Sequence, residues 1–266
     1  FIENTRPVSI YAAQIDSNLY DNTYLDNTKN YIEVHQRTLS ENRVYDWLAD
    51  GAPYVIADDI YVQRSNNSSE LSILKIYPGT VVKFEEGDQL FIGHEDNSNY
   101  RGALQADGVT FTRLDEGYNW PGINFRNYAD NDESYIDNCV IEYGNDGVYC
   151  AGSHPTITHS TFRYNVDGIE ANSGAVPIIE NNQFLSNDIG VRKLTQSNVE
   201  LVIGGSPSLG NIFSGNTTAG VHEFNGSMTV DASYNYWNSA NGPTHIDNPG
   251  GDGDAVGGLV AYEPFI

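Results

Sequence analysis

Cysteine and positive charge are both scarce in this chain, and each scarcity closes off a class of protein. Two cysteines in 266 residues cannot build the disulfide framework that staples small secreted domains. Thirteen Lys and Arg stand against 36 Asp and Glu, for a formal charge of -23 and a pI near 4.3. Such a field repels nucleic acid and anionic membrane, and repels polyanionic glycans unless cations intervene. No stretch is long and apolar enough to span a bilayer. There is no G-x-S-x-G, no H-E-x-x-H, no phosphate loop and no Cys with a plausible His partner. The sequence thus carries no catalytic motif.

What it does carry is a repeat. Tyr135–Ala151 reads YIDNCVIEYGNDGVYCA, and Thr156–Asn172, shifted by 21 residues, reads TITHSTFRYNVDGIEAN. Ile136 overlays Ile157, Ile141 overlays Phe162, Tyr143 overlays Tyr164, and Asp146-Gly147-Val148 overlays Asp167-Gly168-Ile169. A third copy runs through Ile179, Phe184, Asn187, Asp188, Gly190 and Val191, and a fourth ends Phe213, Asn216, Gly220 and Val221. Units this short cannot bury an apolar face alone, so they stack as a solenoid. Apolar residues alternate with polar ones between Gly, Asn and Asp, which is strand periodicity with turns. The expected fold is all-β: a right-handed parallel β-helix of about nine or ten coils at roughly 22 residues each.

Residues 1–53 repeat least and read as an N-terminal capping segment, with β-like runs at Pro7–Ala12 and Tyr31–Val34 and a brief helix over Ser40–Leu48 N-capped by Ser40. Regular strands follow through 54–234, and 235–266 reads as a last coil with a Gly/Asp-rich cap. Cys139 and Cys150 overlay the small residues Ser160 and Ala171. They read as two buried thiols, with a disulfide across the coil as the alternative. The chain starts at Phe1 rather than Met, compatible with a removed signal peptide or with a chosen boundary. Four Asn-x-Ser/Thr sequons, at Asn66, Asn67, Asn216 and Asn225, are expected by chance in so Asn-rich a chain.

The segments IYPGTVVKF (76–84), WPGINF (120–125), IDNCVIEYGNDGVYC and HPTITHSTFRYN resemble the right-handed, pectin-lyase-like β-helix repeats of secreted and surface bacterial and archaeal proteins. So does the ending from Asn235 to Ile266. The resemblance implies that fold and an extracellular or cell-surface setting. It implies no activity, because the fold hosts lyases, hydrolases, adhesins and inert spacers.

Equivalent positions of successive coils stand one strand spacing apart, so the overlay predicts columns. Two residues after the repeat Gly the column reads Tyr149, Glu170, Arg192, His222, facing solvent. It is a candidate glycan site or acid/base pair, against the plainer reading of an ion-pair ladder like Glu142 beside Arg163. Asp146, Asp167 and Asp188 form a second column, either Asx turns or ligands to a hard cation such as Ca²⁺. Asp247, Asp252 and Asp254 offer a denser oxygen set for Ca²⁺, against a glycine-rich capping loop. Trp120, Tyr118 and Tyr128 read as exposed aromatics able to stack on sugars, Tyr143 and Tyr164 as stacked on each other, and Trp47 and Trp237 as anchors.

The leading expectation is a non-catalytic extracellular module: structural, self-assembling or adhesive, with weak glycan binding and no required cofactor. Self-association would run through the β-helix ends or the Pro7–Ala12 strand. A polysaccharide lyase or glycosidase is the alternative, resting on fold analogy.

Overall fold

In the computed structural model, which describes residues 1–15, 19, 21–35, 38–65, 70–194, 199–224 and 229–266, the chain winds through three parallel sheets. One coil shows the plan: Tyr135–Asp137 joins the third sheet, Val140–Glu142 the first and Asp146–Ala151 the second. The first sheet has nine strands, from Val8–Tyr11 to Ile212–Ser214, and the second has nine, from Thr38–Leu39 to Val256–Gly257. The third has six, from Val44–Trp47 to Ile178–Glu180. The Ile179–Ile203 bridge leads on to a separate sheet of three short strands, Leu201–Val202, Val230–Asp231 and Val260–Ala261. No α-helix occurs among the described residues, only a 3-10 turn at Ala12–Gln14.

Inside the rod, like stacks on like. Ile136, Ile157 and Ile179 pair in the third sheet, Ile141, Phe162, Phe184 and Phe213 in the first, and Val148, Ile169, Val191 and Val221 in the second. All of these are buried. The phenylalanine rings lie 5.2 and 4.9 Å apart, and Trp237 closes the stack 4.8 Å beyond Phe213. The repeat glycines are required by this stack. A Cβ on Gly147 would lie 2.6 Å from the Gly168 carbonyl and 3.0 Å from the Phe162 ring, and Gly168 and Gly190 are equally enclosed.

Both tight corners of these coils are held by side-chain ladders that stand in for missing sheet bonds. At the corner between first and second sheets, Gly144 N donates to Asn165 Oδ1, Asn165 N to Asn187 Oδ1, and Asn187 N to Asn216 Oδ1, at 2.7 to 3.1 Å. Asn216 N then donates to Asp254 Oδ2. At the corner between third and first sheets the series runs Cys139, Ser160, Asn182, Asn211, Asn235. Each buried backbone N–H there would otherwise be orphaned at about 1–3 kcal/mol. The residues just before most rungs, Asn138, His159, Asn181 and Tyr234, sit at positive φ to turn the chain. Tyr143 and Tyr164 do the same at the other corner, stacked 5.3 Å apart as expected, with Tyr164 exposed.

Some expectations are corrected, and others, such as the buried thiols, the Trp47 and Trp237 anchors and the strands at Pro7–Ala12 and Tyr31–Val34, are met. Ser40–Leu48 is no helix: Val44–Trp47 is a strand, because Tyr45 and Trp47 alternate inward while Val44 and Asp46 do not. The sheets also reach into residues 1–53, where Val8–Tyr11 pairs with Ile32–His35 and that strand with Tyr54–Ile56. The Pro7–Ala12 segment therefore folds back on its own chain, with its other edge outermost in the first sheet. Trp120 is fully buried, stacked 4.1 Å from Phe84. Cys139 and Cys150 are free and buried, and burial pushes the Cys139 thiol up to about 12, so both are inert as nucleophiles. Asn216 is a buried ladder rung, which removes it as a surface sequon, while Asn66, Asn67 and Asn225 lie outside the described residues. Trp47 and Trp237 are buried anchors.

Candidate functional site

Strand alternation puts a second column on the outside of the second sheet. In register it reads Tyr61, Phe91, Asn124, Tyr149, Glu170, Arg192, His222 and Gly257. Tyr149, Glu170, Arg192 and His222 thus stand in line as the overlay predicts, and Glu142 pairs with Arg163 at 2.7 Å. The four do not form one open surface.

The Arg192 end is filled by protein. Its Nε lies 2.7 Å from Asp167 Oδ2, not on Glu170, and its guanidinium lies over the Phe224 ring at 4.9 Å. His222 stacks on the same Phe224 at 3.8 Å. Across the register Gly257 leaves room for the imidazole, since a Cβ there would lie 2.8 Å from it. Desolvation and the Arg192 charge push His222 below its ordinary value, so it is neutral around pH 7. Glu170 is itself buried. A ligand arriving at this end would have to displace Phe224.

The Tyr149 end is open. A groove of about 420 Å³ lies there, lined by Gln89, Glu95, Asn124, Asn127, Asp146 and Tyr149, with Arg126 on its wall. That volume falls within the range of about 300–1,000 Å³ usual for small-ligand sites. Tyr61 and Phe91 stack at 4.7 Å just beyond Asn124, and the Arg126 guanidinium covers Phe91 at 3.9 Å. The Tyr149 hydroxyl accepts from Asn172 Nδ2 at 3.1 Å, leaving its own proton to give.

At the inner end of the groove, carboxylate oxygens of Asp146, Asp167 and Glu170 lie within 4.8 Å of one another, the one group of three potential metal ligands found among the described residues. Burial, then the Glu170 and Asp167 charges, push Asp146 up to about 7; burial pushes Asp167 up to about 6 despite Arg192. Glu170 is raised by the same causes. Asp188 does not belong to this group. One extra corner residue slips the register so that Ile189, not Asp188, pairs with Asp167. Asp188 instead accepts from the Thr217 and Thr218 hydroxyls, which hold it below its ordinary value.

Nor are Asp247, Asp252 and Asp254 brought together. Asp254 caps the ladder with both oxygens, accepting from Gly215 N and Asn216 N at 2.9 Å. Asp252 accepts from Ser239 and Asn241, and exposed Asp247 lies 3.7 Å from His245. These residues build the cap. The groove residue Asn124, and the Phe91 and Tyr61 that precede it in the column, lie upstream of the visible repeat, so no overlay assigned their register. The signal that could have found them is the match of IYV, LFI and INF (60–62, 90–92, 123–125).

No curated protein and no solved structure matches the chain. Residues 95–251, more than half of its length, match the family described as right handed beta helix region, with strands and ladders running through that span as such a repeat requires. The protein is a member of the right-handed β-helix family.

Proposed function

We propose that this protein is an extracellular β-helix module that binds carbohydrate in the groove beside Asn124 and Tyr149 and does not transform it. One observation carries the reading: the outer column is open and amide-lined around Tyr149, and closed by Phe224 where its charged residues lie. Amide groups and a tyrosine hydroxyl suit the polar edges of a sugar, and an aromatic face suits its apolar face. A rigid rod that presents such a groove on one side serves adhesion or scaffolding. Calorimetric titration with oligosaccharides tests it. Tyr149→Ala and Asn124→Ala are expected to weaken binding about tenfold or more, the loss of roughly 1.4 kcal/mol, while His222→Ala leaves it unchanged. Equal losses for all three, or binding of no oligosaccharide, would defeat the reading.

A second reading, glycoside hydrolysis, is favoured by one arrangement: Asp146, which burial pushes up to about 7, stands within 4.8 Å of two further carboxyl groups. Release of reducing ends by the wild type, abolished in Asp146→Asn, would establish it. A lyase reading is less favoured, since the nearest arginine, Arg192, is committed to Asp167.

A further inference from the structure

The carbohydrate reading leaves open which sugar the groove selects, and the groove's own chemistry is lopsided. Two of its donors are engaged, while the Tyr149 hydroxyl proton stays available. Asn127 Nδ2 donates to the Glu95 carbonyl at 2.9 Å, and Arg126 lies over Phe91 and Tyr61. Arg192, the nearest other cation, is held between Asp167 and Phe224. Its acceptors are not occupied. The Asp146 carboxylate receives no hydrogen bond among the described residues and lines the groove directly. Behind it, Asp167 is buried, and its Oδ1 has no hydrogen-bond partner, although Arg192 approaches Oδ2. Asn124 Oδ1, in the groove wall, is likewise without one. Buried acceptors left unpaired cost free energy that a donor would recover.

We propose that the ligand of this groove carries an ammonium group, as a glycan of unacetylated amino sugars does, and that this group seats against Asp146. The inference rests on the carbohydrate reading and narrows it. Asp146 and Glu95 line the groove with Arg126, and Asp167 and Glu170 cluster with Asp146 beside Arg192, so four carboxyl groups meet two guanidiniums. A cation arriving among the carboxylates relieves their mutual repulsion, and the net charge of -23 draws it in. The same field disfavours a uronate polymer. A bare hard cation is a poorer fit. Ca²⁺ collects about six to eight oxygens, and one of the three clustered carboxylates already has the Arg192 guanidinium 2.7 Å away. The space available, about 420 Å³, also suits a sugar rather than an ion.

Binding of a cation beside Asp146 also drives off whatever proton that carboxyl holds. The event therefore has a signature that non-specific attraction to an acidic protein lacks.

The test is calorimetric titration of the whole chain with short glucosamine oligomers and with N-acetylglucosamine oligomers of the same length. It is run at fixed ionic strength in two buffers of different ionisation enthalpy, at a pH below the value of about 7 to which burial pushes Asp146 and low enough that the oligomer's amines arrive protonated. The unacetylated oligomer is expected to bind about tenfold or more tightly and to release protons, the acetylated one to release none. Asp146→Asn should bring the two affinities together and abolish the release, whereas Glu3→Gln, which removes one charge from the N-terminal segment, should change neither. Equal or tighter binding of the acetylated oligomer overturns this inference while leaving the groove as a carbohydrate site. A preference that survives Asp146→Asn overturns it in favour of overall charge. Binding of Ca²⁺ alone to wild type but not to Asp146→Asn, with no preference between oligomers, overturns it in favour of a hard-cation site. Absence of binding by any oligosaccharide removes the carbohydrate reading itself.

Discussion

The two halves of the rod share one topology and differ in what holds it. From Tyr135 onward, corners are tied by Ser and Asn ladders, phenylalanines stack in line, and the sequence repeats visibly. Between Tyr54 and Phe125 the same three sheets continue in register, but no such ladder occurs among the described residues and the corners rest on backbone bonds such as Thr110 N to Thr80 O. The lesson is that parallel coiling needs only a continuous apolar column. Regular corner chemistry is an added support, confined here to the C-terminal half. Freed from the repeat, the N-terminal half carries the aromatic pair, the amides and most of the open groove.

The comparison can be broken most forcefully in the shared column. Ile169→Asp buries an unpaired charge and is expected to cost about 4 kcal/mol or more. Leu90→Asp, at the matching place in the other half, should cost as much, because both side chains line one core. Melting curves that separate the two strongly would show that the halves fold by different rules.

The ladder should behave otherwise. Asn187→Ala strips the acceptor from Asn165 N and the donor from Phe162 O, both buried, for an expected loss of about 2–4 kcal/mol. At about 2–4 °C per kcal/mol for a domain of this size, the midpoint falls by roughly 5–15 °C. A fall below 2 °C would make the ladder decorative.

A smaller effect concerns pH. Asp146 and Asp167, raised from 3.8 to about 7 and about 6, bind protons more tightly folded than unfolded. Their contribution is therefore fullest below pH 3.8 and is lost as pH rises through about 6 and 7. The midpoint of melting should rise between pH 8 and pH 5. Asp146→Asn should raise it at pH 8 by a few degrees and flatten that slope. An unchanged slope would mean that Asp146 ionises freely. Smallest of all, a double-mutant cycle on Glu142 and the half-exposed Arg163 should return less than about 1 kcal/mol; a larger coupling would show that the exposed ladder holds the coils.

The fold was legible because the repeat is short and its apolar positions are strict; Val148, Ile169, Val191 and Val221 stack as overlaid. The site was legible only as a column. Overlay gives strand register but not what covers a residue, and the side chain that closes over Arg192 and His222, Phe224, comes from just beyond the repeat. Nor does overlay say which acid an arginine chooses: Arg192 reaches Asp167 diagonally rather than Glu170 directly beside it. Asp188 was misplaced by a single corner residue. Asp254 looked like a cation ligand because its role as last rung depends on Asn216, 38 residues away. Asn124 escaped notice because its half of the rod does not repeat.

The most direct measurement is hydrogen exchange along the whole rod with and without a saturating oligosaccharide. Added protection is expected in peptides covering residues 120–127 and 146–151 and none in those covering 189–193 and 219–223. Protection centred on 219–223, or on the Val8–Tyr11 edge, would contradict it and move the functional surface to the closed end of the column or to the end of the rod.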